Sequence, residues 1–272
     1  MSQARITSMH NQRIKDAVRL RDRRGRDQQG RIVIDGAREL LRAISAGVVV
    51  REVFVCEEAC HTPEAQRVLE WSGGSAVSRY DVTPPVFEKL SFGQRAEGVV
   101  AVADAPQRGW HDLGQLGSHP LVAVLESVEK PGNLGAICRT ADAAGVSAIL
   151  LADPRTDVFG PNAIRASLGT VFTVPIVQAP VNEILAWLKA EGLRMIATQV
   201  DAAGAYTAAD YRGPTAIILG SEAHGLSDAW SAAEITPVHV PMLGAADSLN
   251  VSVVAGLLFY EALRQRTVAA AE

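Results

Sequence analysis

At 272 residues the chain is long enough for two compact domains, and its 48 % hydrophobic content with 5 % aromatics is ordinary for a globular protein. The formal charge of −4 hides an asymmetry: residues 1–31 hold nine Arg or Lys against three Asp, a balance of +6, which leaves −10 for the remainder. No apolar run approaches the roughly 18–20 residues of a membrane span, the start MSQARITSMHNQRIK lacks an apolar leader, and Cys56, Cys60 and Cys138 make no disulfide framework. A reducing, cytoplasmic setting is therefore expected. Cys56, Cys60 and His61 lie close in sequence without a second ligand cluster, so no metal is expected.

In chain order, short runs rich in β-branched residues predict strands at 31–35, 52–56, 76–80 and 99–103. Helices fall between them. Leu40, Leu41 and Ile44 recur at helical spacing over 37–46 before the stop signal Gly47, and 64–71 and 84–90 read as shorter helices. Residues 105–119 lose periodicity and gather Gly, Pro and polar side chains, which suggests a linker. The expected division is a first domain over 1–107, a linker over 108–119 and a second domain over 120–272. Beyond Pro120 the rhythm alternates, with strands expected at 121–125, 148–152, 172–177, 195–200, 216–219 and 238–241. Helices are expected at 134–144, 181–191 and 251–266. Several of these strands are continuous apolar runs, as in strands buried on both faces, so the fold class is α/β with a mostly parallel sheet. Ligands of such sheets bind at the carboxyl ends of the strands.

Three strand-to-loop junctions carry candidate chemistry. In the first, a buried strand runs into Glu126-Ser-Val-Glu-Lys-Pro-Gly-Asn133, and Asn133 sits where an N-cap would open the next helix. Arg139 falls outside that helix's apolar stripe of Leu134, Ile137, Cys138 and Ala141, near its first turns and within reach of the loop below. Asn133 could merely cap, and Arg139 could merely pair with Asp142. In the second junction, Leu219 leads into Gly220-Ser-Glu222 and then Gly225; glycines at a strand end let a ligand approach the backbone. Neither a G-x-G-x-x-G fingerprint nor a P-loop occurs. In the third, Ser248 and Asn250 precede a long apolar helix, where they could cap it or hold a substrate hydroxyl.

Asn133…Arg139, Leu219-Gly-Ser-Glu-Ala-His-Gly225, and Pro241-Met with Ser248-Leu-Asn-Val-Ser252 resemble, in order, the three motifs of the SpoU/TrmH family of ribose 2′-O-methyltransferases in the SPOUT superfamily. The resemblance covers roughly residues 120–266, and 162–172 is similar to the family's interior pattern. Residues 34–38 and 94–101 resemble the substrate-binding domain that such enzymes often carry, a small α/β RNA-binding domain like a ribosomal protein. The resemblance implies a deep trefoil knot in the second domain and S-adenosylmethionine as cofactor. It implies that Gly220, Val240 and Leu249 hold the cofactor largely through backbone contacts, with Leu219, Met242 and Thr198 as weaker candidates for lining the adenine pocket. It also implies a catalytic set of Asn133, Arg139, Glu222, Ser248 and Asn250. A guanidinium stays charged in proteins, so Arg139 is expected to stabilise developing oxyanion charge rather than to act as the base. Cys138 is expected to pack as a small hydrophobe.

Given that resemblance, the basic block becomes a candidate phosphate tracker through Arg13, Lys15, Arg23, Arg24 and Arg26, with Arg38 beyond it. The implied substrate is large-subunit ribosomal RNA. Transfer RNA is the second reading, and a non-catalytic RNA-binding protein of the same fold the third. The family resemblance further implies a homodimer whose subunits complete each other's active sites. The 251–266 helix carries enough apolar surface for both a core and an interface.

Overall fold

The computed structural model describes residues 5–92, 97–221, 224–232 and 234–269. The chain forms two compact units, Met1–Gln107 with Asp157–Thr173, and Arg108–Thr156 with Val174–Glu272.

The first unit opens with strand β1 (Arg5–Ile6) and helices α1 (Gln12–Arg19) and α2 (Arg23–Gln29). Asn11 caps α1 by accepting from the Arg13 amide at 2.9 Å, and Gly30 ends α2 at φ 61°, a left-handed conformation that suits glycine. Then follow β2 (Arg31–Asp35), α3 (Ala37–Ser45), β3 (Val50–Val55), α4 (Pro63–Gly74), β4 (Ser78–Val82), α5 (Pro84–Leu90) and β5 (Val99–Asp104). Thr62 caps α4, and Pro63 occupies its first position, where no amide donor is missed. The five strands lie in the order β1-β4-β3-β5-β2, and β5 runs antiparallel to both β2 and β3. Ile14, Ala17 and Leu20 before and after the end of α1, with Val86, Phe87 and Leu90 of α5, bury against Val33, Phe54 and Val100 of the sheet.

The second unit holds β6 (Leu121–Glu126), α6 (Pro131–Ala144) and β7 (Ala148–Ala152). The chain then contributes α7 (Pro161–Ala166) and α8 (Thr170–Thr173) to the first unit. It returns as β8 (Ile176–Ala179), α9 (Val181–Ala190), β9 (Arg194–Thr198), β10 (Thr215–Leu219), β11 (Ile235–Val238) and α10 (Val251–Ala269). All six strands are parallel, in the order β11-β9-β10-β6-β7-β8. Every residue of β6, β7 and β10 is buried, which explains their continuous apolar runs. From β6 the chain first builds outward through β7 and β8, then crosses to build β9, β10 and β11 on the other side. The loops after β6 and β10 therefore leave adjacent strands at the point where the winding reverses, the place where parallel sheets bind ligands. Helix α10 packs on α6, where Gly256 faces the Thr140 methyl.

Four expectations change. Residues 108–119 are not a bare linker, because Trp110 stacks on Trp187 with ring centroids 5.4 Å apart and Leu113 is buried in the second unit's core. The division is not contiguous either, since residues 157–173 belong to the first unit. The strand expected at 172–177 splits into α8 and β8: Leu168 and Gly169 turn the chain at φ 53° and 86°, and Phe172 stacks on Phe159 instead of entering the sheet. Finally, β11 begins earlier than expected, at Ile235. It is an edge strand, where Pro237 costs no ladder bond to a further neighbour.

Candidate active site

Strands β9, β10 and β11 end side by side at Thr198, Leu219 and Val238, and their loops enclose a cleft. All six residues expected to hold a cofactor line it: Thr198, Leu219, Gly220, Val240, Met242 and Leu249. Thr198 is held by donating its hydroxyl to the Ile218 carbonyl at 3.2 Å. Gly220 is required by close backbone approach, because a β-carbon there would lie 2.3 Å from the Gly225 carbonyl carbon. That approach lets Ser221 and Gly225 exchange two backbone hydrogen bonds of 3.0 Å each. On the opposite wall, His239 donates its amide to Gly204 O at 2.8 Å and accepts from the Tyr206 amide at 2.9 Å, which positions Val240 after it. The walls are mostly aliphatic, with a few polar groups such as Thr198, Ser221 and Ser248. Apolar walls with few, fixed polar groups suit a flat heteroaromatic ring. His239 also reaches this cleft, and its buried Nδ1 has no hydrogen-bond partner among the described residues.

A second cleft adjoins the first and shares Ser221 and Val251 with it. The loop after β6 supplies its other walls through Ser127, Val128, Glu129 and Lys130, with Asn133 from the start of α6. Ser127 begins this loop at φ 51°, a left-handed conformation unusual for serine. Asn133 does not cap α6: Lys130 holds the cap position and Pro131 opens the helix, so Asn133 lies in the first turn. Its side chain instead accepts a hydrogen bond from Asn250 Nδ2 at 3.2 Å, across 117 residues of sequence. Asn250 does cap, since its Oδ1 accepts from the amide of Ser252 at 2.9 Å and from its hydroxyl at 2.6 Å. Asn250 thus caps α10 through its Oδ1 while its amide nitrogen donates to Asn133. Ser248 lines the first cleft.

Arg139 departs from expectation. It is exposed on α6, lines neither cleft and makes no ion pair among the described residues. Six residues of α-helix place it about 9 Å along the axis from Asn133 and roughly 120° around it, so the two side chains leave the helix in different directions. Glu222 lies outside the described residues.

The model of the SpoU rRNA Methylase family matches residues 120–260, just over half of the chain. The chain belongs to the SpoU rRNA methylase family. A second model, described as an MRM3-like substrate binding domain, matches residues 11–101. Among relatives, the chain is 28 % identical to the 23S rRNA (guanosine(2553)-2′-O)-methyltransferase RlmP of Bacillus subtilis, over 94 % of this chain and 97 % of that protein. Its fold matches a solved RNA 2′-O ribose methyltransferase with a TM-score of 0.86 and 42 % identity, covering 97 % of this chain and 99 % of the other. It also matches the SpoU methyltransferase AviRb of Streptomyces viridochromogenes, solved in complex with AdoMet, with a TM-score of 0.84 and 27 % identity over 95 % and 99 % of the two chains.

In this SpoU-family chain the basic candidates separate into two groups. Lys15 and Arg24 are exposed, with no ion-pair partner among the described residues. Arg13 pairs with Glu52 and lies over the Tyr80 ring at 4.8 Å, Arg38 pairs with Glu64 at 3.3 Å, and Arg23 lies 3.9 Å from Asp27; all three stay exposed. Arg26 is the correction. It is 8 % exposed, and its guanidinium is spent inside the unit on Asp157 and the carbonyls of Leu20 and Arg21. An arginine in a basic run is indistinguishable by sequence from its solvated neighbours. Only the return of residues 157–173 to this unit reveals its partner.

Sequence reasoning passed over Glu126. Its side chain is buried at the end of β6 and accepts two hydrogen bonds from Ser227. The available signal was a single charge ending an otherwise apolar strand run. Among the described residues no cluster of three potential metal ligands occurs, and no helix is long and apolar enough to cross a membrane. Burial pushes the Cys138 thiol up to about 12, in line with a packing role for that side chain.

Proposed function

We propose that this chain transfers a methyl group from S-adenosylmethionine to a ribose 2′-hydroxyl of large-subunit ribosomal RNA in the cytoplasm. The observation that carries the reading is the Asn250–Asn133 hydrogen bond, which joins the first and third family motifs beside an apolar cleft at the carboxyl ends of parallel strands. Family membership and the printed activity of RlmP support both the reaction and the RNA.

Bound S-adenosylmethionine supplies an electrophilic methyl group on its sulfonium. The protein's task is then mainly alignment, which in favourable intramolecular reactions is worth about 7–11 kcal/mol. Leu219, Val240, Met242 and Leu249 offer apolar contact to an adenine ring, and the open backbone at Gly220 allows close approach. Asn133 from the adjoining cleft, Asn250 bonded to it and Ser248 from the first cleft orient the target nucleotide. Glu222 fixes the arginine or its own loop.

Arg139 keeps its charge, so it stabilises developing negative charge on the ribose oxygen and holds the neighbouring phosphate. Its place outside both clefts of its own chain fits a homodimer in which it serves the partner's site. Val253, Tyr260 and Leu263 of α10, exposed at seven- and three-residue spacing, provide apolar surface for that contact. The loops following β10 and β11 form the trefoil knot. The unit containing residues 11–101 holds RNA through phosphate contacts from Lys15 and Arg24, with Arg13, Arg23 and Arg38 beside them, and binding weakens as salt rises.

Two measurements test this. Calorimetry should detect binding of S-adenosylhomocysteine to the purified protein. Mapping of ribose methylation in total RNA should lose one position of the large-subunit RNA when the gene is deleted. Loss of a transfer-RNA methyl instead would select the second reading, and an unchanged map with intact cofactor binding would leave a binding protein.

A further inference from the structure

The loop after β10 has to hold its shape without a continuing helix. Gly220, Ser221 and Gly225 line the cofactor cleft, Ser221 also lines the second cleft, and within the loop the Ser221–Gly225 backbone pair is joined by the His224 amide donating to Ser221 Oγ at 3.1 Å. Two residues beyond Gly225 the chain meets Glu126. The carboxylate, 5 % exposed, accepts from the Ser227 amide at 2.8 Å and from the Ser227 hydroxyl at 2.6 Å, so each oxygen has its own donor. Glu126 ends β6, the strand adjacent to β10, and the residue after it opens the loop that leads into α6 and Asn133. Ser127 is itself fixed by donating its amide to Ala152 O at 3.0 Å. Beyond the contact, the Ser227 carbonyl accepts from the Trp230 amide at 3.1 Å, and the Trp230 side chain is buried in the core.

We infer that Glu126 is a positioning residue for methyl transfer: by clamping Ser227 it holds the part of the cofactor cleft's wall made by Gly220, Ser221 and Gly225 in register with Asn133 at the start of α6. Hydrogen bonds to a charged, buried group are stronger than neutral ones and costly to lose, so this pair can tie the loop to the end of β6. The clamp reaches the reacting atoms only through other residues. It rests on the cofactor reading of the first cleft.

The test uses the full-length protein and the variants Ser227→Ala, Ser227→Thr and Glu126→Gln. Ser227 is exposed, so its substitution spares the core. Ser227→Ala and Glu126→Gln should raise the Kd for S-adenosylhomocysteine by about tenfold and lower kcat, while Ser227→Thr, which keeps the hydroxyl, should stay within about twofold of wild type. Amide hydrogen exchange at Gly225 and Ser227 should accelerate in Ser227→Ala and Glu126→Gln and not in Ser227→Thr. Wild-type affinity and exchange in Ser227→Ala and Glu126→Gln would overturn the clamp. So would a lowered Tm with unchanged Kd in the folded fraction, which marks a merely structural role. Should wild type itself fail to bind S-adenosylhomocysteine, the cofactor reading fails, and the exchange rates alone decide whether the clamp exists.

Discussion

Both units are α/β, yet they spend their polar groups differently. In the first unit, arginines are largely consumed in holding the unit together: Arg26 on Asp157, Arg51 on Asp104, Arg79 on Asp81 and Glu57. Its β5 runs against both of its neighbours, so strand ends of both kinds meet at each end of the sheet. In the second unit all six strands point one way, and the loops that leave their carboxyl ends bring distant polar side chains together around open clefts. Asn133 meets Asn250, and Glu126 meets Ser227, each across more than a hundred residues. The difference teaches that sheet direction decides where a chain can collect functional groups. A parallel sheet gathers its loops at one end, whereas a mixed sheet disperses them.

The sharpest way to break this contrast is Arg139→Ala. It should lower methylation by about 100- to 1000-fold or more while leaving S-adenosylhomocysteine affinity within about twofold, as calorimetry and methyl-transfer assays would measure. Equal loss of both would make Arg139 structural. Mixing this variant with one carrying Asn250→Ala should restore part of the activity in mixed dimers, if the arginine serves its partner.

Next in size is Arg26→Ala, which leaves Asp157 without its partner inside the first unit. Denaturant unfolding should show a loss of about 3 kcal/mol, toward the lower end for a broken buried pair because Asp157 is 28 % exposed. A neutral outcome would return Arg26 to the solvated arginines and its candidacy for RNA contact.

A smaller effect is expected at Asp35. Burial, opposed by the Phe92 amide and by Arg165, pushes its carboxyl up to about 6. A folded value raised above the unfolded one means that this residue's contribution is fully present below the unfolded pKa and lost as pH rises through about 6. Asp35→Asn should therefore flatten the decline in stability between about pH 4 and 6.5, a slope of at most about 1.4 kcal/mol per pH unit. Parallel curves for wild type and variant would contradict the burial argument.

The smallest effect belongs to the surface. Lys15→Glu with Arg24→Glu should weaken RNA binding by about tenfold and reduce the slope of log affinity against log salt by about 2, without changing S-adenosylhomocysteine affinity. An unchanged salt slope would place the RNA elsewhere. Deleting residues 1–107 is a poorer probe than it looks from sequence, because it would strip residues 157–173 of the unit to which they belong.

Much of the fold was legible. Apolar runs at β6, β7 and β10 announced buried parallel strands, and the residues expected to hold the cofactor line one cleft. Where reading failed, a non-local contact had overridden a local signal. Asn133 looked like a cap because it is a short polar residue near a helix start, but Pro131 opened the helix earlier. The β-branched run at 172–177 looked like one strand until Phe172 found Phe159.

What the sequence by itself determined is therefore the kind of most elements of the two sheets and the chemical type of the candidate residues, since backbone hydrogen bonding and apolar periodicity act over a few neighbours. Tertiary structure alone decided who meets whom: the Asn133–Asn250 contact, the Glu126–Ser227 clamp, the capture of Arg26 by Asp157 and the exile of Arg139 from its own clefts. Those meetings depend on the order in which strands pair, and that order is set by contacts between segments far apart along the chain, which no local pattern encodes.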